Sequence, residues 1–386
     1  MAGPLAGLRV VELARILAGP WIGQILADLG AEVIKVEAPE GDDTRRWGPP
    51  FIERDGDRSA AYFYAANRGK SSVTADFRTE EGRRTVRELA AGADILVENF
   101  KRGGLGKYGL DYGSLSALNP RLIYCSITGF GQTGPYADRP GYDFLIQGMS
   151  GMMSVTGEPD GQPQKVGVAV TDILTGLYGA IGILAAVEQR HASGRGQHVD
   201  MALLDCAVAS MANQAMNYLA TGQSPLRQGN SHPNIAPYQV FATADGHVIV
   251  AVGNDGQFGR FCEVLGLDRL AADARFAGNP ERVENRDALD ELLTAAIAGW
   301  SSAALLEALE RAKVPAGPIN TIEQVFADPQ VLARGLRIAP EGVPGVRGPW
   351  RFSDAELSLD RTAPGLGDGS KAENGTLTAS KKDSVG

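Results

Sequence analysis

Residues 8–39 open as LRVVEL (8–13), continue through AGPWIGQILADLG (18–30) and close as AEVIKVEAP (31–39). Two runs rich in β-branched residues flank a stretch whose apolar positions recur three and four apart, which predicts strand, helix, strand. The same alternation returns at SSVTADF (71–77), TEEGRRTVRELAAGA (79–93) and DILVENF (94–100), and again at RLIYCSITGFG (121–131). Repetition of this unit predicts an α/β chain whose large domain is Rossmann-like, a parallel sheet with helices on its faces. After the first strand the chain reads ARILAGP (14–20), without the GxGxxG fingerprint, which disfavours a nicotinamide cofactor.

Residues 132–170 are rich in Gly, Pro and Asp and predict a long loop with little regular structure; such loops are usually functional. The loop ends at VGVAVTD (166–172), and residues 173–194 then read as one long apolar helix closed by Gly194. Gly176, Gly179 and Gly182 fall three apart along it, each costing roughly 1 kcal/mol against Ala. Something must approach that face closely. A second helical stretch spans 200–222, and the composition changes at Ser224 to Asn234, which marks a boundary. YQVFATADGHVIVAVGN (238–254) reads as a hairpin, with Asp245-Gly246 as a turn dipeptide favouring positive φ. The expected organisation is a large domain over 1–224 completed by a returning segment, 321–366, with a smaller α/β domain over 225–320. The polar residues 367–386 form a tail expected to be disordered.

The chain has 386 residues, 44% of them apolar, and a net charge of -9. Diffuse attraction to nucleic acid or an anionic membrane is therefore not expected, and an anionic ligand must be met by a local basic cluster. Cys125, Cys206 and Cys262 are far apart and lack CxxC spacing, as buried free thiols in a reducing compartment would be. The N-terminus lacks a signal pattern and no apolar run approaches about 18 residues, so a cytoplasmic location is expected. The four histidines form no HExxH or similar motif, and no metal is expected.

Asp172 follows a strand-like run and opens the long helix. It reads as an N-cap, or as a carboxylate nucleophile toward a thioester, and the two are compatible because capping lowers the pKa. The run Gly253, Asn254, Asp255, Gly256 and Gln257 is either a tight turn before a helix or a mobile flap that excludes water. Arg45/Arg46, Arg68/Lys70 and Lys101/Arg102/Lys107 read as a solvated face, or else Arg68/Lys70 and Lys101/Arg102/Lys107 line one crevice suited to a ligand with several phosphates.

Over most of its length, from LRVVELARILAGP to PGLG (364–367), the chain resembles the class III (CaiB/BaiF-type) CoA-transferases. The resemblance rests on residues 18–50, on ILVENFKRGGLGKYGLDY (95–112), on YCSITGFGQTGPYADRPGYDFLIQGMSG (124–151), and on GVAVTDILTGLYGAIGILAAV (167–187), RGQHVDMALLD (195–205) and VPAGPINT (314–321). It implies that Asp172 forms an aspartyl-acyl anhydride and then an aspartyl-CoA thioester. Coenzyme A and acyl-CoA act as substrates, with no tightly bound cofactor. Leu17, Ala18, Arg68, Lys70, Ser71, Asn99, Phe100, Lys107 and Tyr142 match the family's CoA pocket, and Gly253 to Gln257 match its glycine-rich flap. An interlocked homodimer is implied as well.

The α-methylacyl-CoA racemases of the same fold keep a His where this chain has Tyr142, in Gly141-Tyr142-Asp143. An unperturbed phenol, with a pKa near ~10, is a poor base at neutral pH, so transferase is favoured over racemase, and a reactive Asp172 favours it over a non-catalytic CoA binder. Leu17 stands where the formyl-CoA:oxalate branch carries Gln. The wording is nearest to the succinate-hydroxymethylglutarate (glutarate) type, with C4–C6 dicarboxylates as first-choice substrates. After PGLG the family usually continues into a further helix, whereas this chain enters its polar tail.

Overall fold

The structure, a computed structural model, describes residues 2–369; residues 370–386, most of the polar tail, lie outside the described residues. β1 (Arg9–Glu12), α1 (Ala18–Asp28) and β2 (Glu32–Glu37) follow the predicted order. A hairpin, β3 (Phe51–Arg54) and β4 (Asp57–Ala60), leads into α2 (Ala61–Ala66), β5 (Ser71–Thr74), α3 (Glu80–Ala91) and β6 (Ile95–Glu98). Next come α4 (Tyr112–Leu118), β7 (Ile123–Thr128), α5 (Asp143–Met149), α6 (Val170–Ser193), β8 (His198–Ala202) and α7 (Leu203–Ala209).

Six of these strands form one parallel sheet in the order β5-β2-β1-β6-β7-β8. The chain builds outward from β1 on one side and from β6 on the other. In open α/β sheets the crevice at such a reversal, beyond the carboxyl ends of the strands, is where ligands bind. Alternate residues cover the two faces. Val10, Val33, Val97 and Cys125 pack with Ile22 and Leu26 of α1, whereas Val11, Leu96 and Tyr124 pack with Val86 and Ala90 of α3.

Two readings of the middle of the chain need correction. The 132–170 stretch is interrupted by α5, and the stretch from Asp200 is not one helix, because His198–Ala202 pairs with β7 and becomes a sheet edge. The close approach anticipated along α6 comes from within the chain. A Cβ on Gly176 would sit 2.8 Å from Trp21 Cδ1 and 3.1 Å from the Ala18 carbonyl oxygen, and one on Gly179 would sit 2.5 Å from Ile22 Cδ1. Gly182 meets only Val199, at 3.3 Å. α6 is also long and apolar enough to cross a membrane, contrary to the sequence reading, but its glycine face is buried against α1 as in a core helix.

The chain divides into two compact units. One comprises Met1–Met152, Val166–Ala215 and the chain from Gln330; the other comprises Met153–Lys165 and Met216–Pro329. Segment 153–165 joins the second unit because Arg227 donates to the carbonyls of Glu158, Pro159 and Gly161. That unit holds the hairpin β9 (Tyr238–Ala242) and β10 (His247–Ala251), extended by antiparallel β11 (Ala316–Pro318). Neither Asp245 nor Gly246 takes the positive φ that the dipeptide suggested. Instead the Asp245 carboxylate accepts from Ser302 N–H at 2.7 Å and holds a four-residue connection.

Gly176→Ala should lower stability by about 1–3 kcal/mol in denaturant melts despite its better helix propensity, because backbone of α1 stands in the way. Gly182→Ala should cost less, since one methyl of Val199 is all that must move.

Candidate active site

The carboxyl ends of the central strands converge on a cavity of about 230 Å³. The segment after β1 contributes Arg15, Ile16, Leu17 and Ala18; the segment after β6 contributes Asn99, Phe100, Lys101 and Arg102; β7 and its exit contribute Ile127, Thr128 and Gly129. Arg139 to Tyr142 close one side, and Asp172 of α6 faces the space. Gly129 and Gly141 approach so closely that a Cβ on either would lie within 2.6 Å of the other's Cα, which folds the 132–142 loop back over β7.

Asp172 is the third residue of α6, not its N-cap; Ala169 holds that position and supplies no side-chain cap. Burial, and the Asp143 carboxylate nearby, push the Asp172 carboxyl up to about 7. This reverses the capping argument. A helix N-terminus does favour the anion, but no side-chain donor joins it, and desolvation with a like charge raises the carboxyl. Asp143 is held in place by Thr171, whose N–H and Oγ1 donate to it at 2.8 and 2.7 Å, and by Gln147 Nε2 at 2.8 Å. Tyr62, on α2, lies in the field of Asp172, Asp143 and Asp42, and its phenol is raised by burial and then by those carboxylates.

Of the residues singled out from the sequence, Leu17, Ala18, Asn99, Phe100, Tyr142 and Asp172 come together here. Others do not. Arg68 is buried and its guanidinium is spent on Asp28, 2.6 Å away, and on the Val346 carbonyl. Lys70 has no exposed surface and donates to Glu12, the Pro20 carbonyl and Asn67. Neither lines a crevice, because both ammonium and guanidinium neutralise acids inside the fold. Ser71 bonds the Val33 carbonyl at 3.4 Å, and Lys107 lies over the ring of Tyr108, both outside the cavity lining. Arg45 is likewise buried, against Glu37.

The basic rim is made instead by Arg15, Lys101, Arg102 and Arg139. Arg15 and Arg139 lie within stretches that carry the resemblance but were not singled out, and Tyr62 lies in none of them; only the strand-end position of Arg15 hinted at a role. In the second unit, Asn254 and Gln257 together tie down the N-terminus of helix α8 (Asp255–Val264): Gln257 N–H donates to Asn254 Oδ1 at 2.9 Å and Gly253 N–H to Gln257 Oε1 at 2.7 Å. Asp255 pairs with Arg282 at 2.7 Å. The Gly253–Gln257 run is thus a tied-down helix start, with neither glycine at positive φ. Among the described residues no group of three His, Cys, Asp or Glu is placed to hold a metal ion.

Residues 5–370 match CoA-transferase family III. The chain belongs to that family. It is 59% identical over 373 residues to the succinate–glutarate CoA-transferase of Agrobacterium fabrum, covering 95% of this chain and 93% of that one. It is 42% identical over 370 residues to the succinyl-CoA:glutarate CoA-transferase of Mus musculus, covering 94% and 84%. The crystal structure of a CaiB/BaiF family protein from Brucella suis superposes with a TM-score of 0.88 at 63% identity, covering 96% and 98%. CoA-transferases use CoA thioesters as substrates, and the cavity of this family III member sets an acidic group inside a basic mouth.

A carboxyl whose pKa is raised in the folded state binds its proton more tightly there, so its stabilising contribution is full at low pH and is lost as pH rises through about 7. At pH 8 the transferase bearing Asp172→Asn should be more stable than the wild type by about 1–3 kcal/mol. The gap should narrow as the pH falls toward about 5, in denaturant melts at the two pH values.

Proposed function

We propose that the chain transfers CoA from succinyl-CoA to a C4–C6 dicarboxylate such as glutarate, with Asp172 as the covalent nucleophile. The observation that carries this reading is a single half-buried carboxylate, relieved by no side-chain donor, facing a cavity whose mouth is basic. A carboxylate stripped of hydrogen bonds is a stronger nucleophile than one held by donors. The substrate class follows the names of the two glutarate-using relatives.

In the first step Asp172 attacks the thioester carbonyl, the C–S bond breaks, and CoA thiolate leaves an aspartyl-acyl anhydride. The thiolate then attacks the Asp172 carbonyl, releasing the donor as a carboxylate and forming an aspartyl-CoA thioester. The acceptor carboxylate repeats both steps in reverse, and Asp172 is returned. No net proton is exchanged. Arg15, Lys101, Arg102 and Arg139 supply positive charge for phosphates and for the free carboxylate of a dicarboxylate. CoA is longer than this cavity. A neighbouring hollow of about 440 Å³ shares Arg15 and Phe100 with it and is walled by Phe77 and Tyr108, surfaces on which a purine can stack.

A second copy of the chain is part of this proposal, in the interlocked arrangement that the family resemblance implies. Leu177, Tyr178 and Ile181 on α6 and Phe144, Leu145 and Met149 on α5 are large, apolar and exposed, as a surface awaiting a partner is. Light scattering should give a mass about twice that of one chain; a monomer at micromolar concentration would refute it.

Incubation with succinyl-CoA, followed by hydroxylamine or borohydride trapping and intact mass measurement, should reveal a CoA-sized or hydroxamate adduct on wild type. It should map to Asp172 and be absent from Asp172→Ala. Adduct formation should rise with pH through about 7, as Asp172 ionises. Exchange of an α-proton from a branched acyl-CoA in deuterated water, without any adduct, would point to a racemase instead.

A further inference from the structure

One wall of the cavity is a three-residue bend whose every peptide group is gripped by a side chain from elsewhere. The Ala14 carbonyl accepts from Lys35 Nζ at 2.9 Å. Arg15 N–H donates to Asn99 Oδ1 at 2.9 Å, and its carbonyl accepts from Asn99 Nδ2 at 2.6 Å. Ile16 N–H donates to Asp42 Oδ2 at 3.3 Å. Lys35 and Asp42 are themselves an ion pair at 2.9 Å with essentially no exposed surface. Asp42 is oriented from the other side by Thr44, whose N–H and Oγ1 donate to it at 3.0 and 2.8 Å.

This grip is spent on an unfavourable conformation. Ile16 has φ 72, a left-handed value that a β-branched residue avoids at a cost of about 1–3 kcal/mol. Ile16 and Leu17 both line the cavity that Asp172 faces. A simple turn would place Gly here, so a strained Ile that follows two successive clamped peptides is maintained against its own preference.

We propose that the buried Lys35–Asp42 pair, with Asn99, positions the Ala14–Leu17 backbone so that the Ile16 main chain and the Leu17 side chain form a fixed wall against which the acyl group is presented to Asp172. Asp42 and Lys35 touch no substrate in this scheme; they are positioning residues, acting through Ile16. The proposal rests on Asp172 being the reacting group. It also assigns Asn99 a different job from ligand contact, since its carboxamide is already engaged on both sides by Arg15.

The test uses the full chain and transfer of CoA from succinyl-CoA to glutarate. Asp42→Ala removes the acceptor of Ile16 N–H while leaving Lys35 its contacts with Glu12 and the Ala14 carbonyl. The turnover number should fall about tenfold or more, because small misplacements at a reacting centre are costly. Adding Ile16→Gly should recover about threefold or more, because glycine adopts the left-handed conformation without strain. A merely structural Asp42 would lower stability without being rescued at position 16. If Asp42→Ala does not fold, Asp42→Asn serves: whichever way its carboxamide turns, an N–H group faces either Lys35 Nζ and the Ile16 N–H at the Oδ2 position or the Thr44 N–H that orients the side chain at the Oδ1 position. The same loss and the same rescue are then expected. A smaller loss, or no recovery with Ile16→Gly, overturns the clamp. Should wild type itself neither transfer CoA nor form an adduct, the functional reading fails separately. The clamp is then decided by the crystal structure of the Asp42 variant, where Ile16 retained at positive φ refutes it and Ile16 at negative φ supports it.

Discussion

Glu12 is a carboxylate with no exposed surface, set between two ammonium groups that also have none, Lys35 and Lys70. Water cannot reach the three charges, so they must satisfy one another. Burial, with the neighbouring Lys35, pulls Lys70 down to about 8, whereas the Glu12, Asp42 and Glu37 carboxylates outweigh burial and raise Lys35. Such a pair is a weak source of net stability, but leaving one member alone costs about 3–5 kcal/mol. The network is therefore a device for geometry. It binds β1 to β2 directly and, through Lys70, to the start of β5, which are the three strands on one side of the sheet reversal.

From that anchor the order propagates to the cavity. Lys35 reaches past Glu12 to the Ala14 carbonyl and to Asp42, so the segment leaving β1 is held at the point where the sheet opens. α1 then begins at Ala18 and crosses α6 at Gly176 and Gly179, which sets α6 close enough for Asp172 to face the space that Ile16 and Leu17 wall. Packing and electrostatics serve one purpose here. The glycines bring the acid near, and the buried ions keep the Ile16–Leu17 wall still.

The same economy explains where the positive charge sits. On a chain of net charge -9, basic residues are divided between two tasks. Arg45, Arg68 and Lys70 neutralise acids in the interior, and Arg15, Lys101, Arg102 and Arg139 are left around the cavity mouth. Asp172 is destabilised by burial and by Asp143, a cost of the kind that the proposed nucleophile would carry.

The alternation of strands and helices in the large unit was legible in the sequence because hydrophobic period is a local property. So were the family resemblance and the position of Asp172 near the start of α6. The glycine spacing announced a close crossing, but its partner, α1, lies about 150 residues away and carries no local signal. Misreadings arose wherever burial mattered. Arg68 and Lys70 are basic in any context, yet whether they meet a phosphate or a buried acid depends on Asp28 and Glu12, distant in the chain. Asp172 was read as a cap with a lowered pKa because a helix dipole is local, whereas desolvation and the Asp143 charge are not. Sequence alone thus determined which elements form, and the family they belong to, through periodicity and short motifs. Tertiary structure decided which charges are buried, which face the cavity, and why Ile16 is held in a conformation its own side chain opposes. Solvation and Coulomb energies follow distances in space, not separation along the chain.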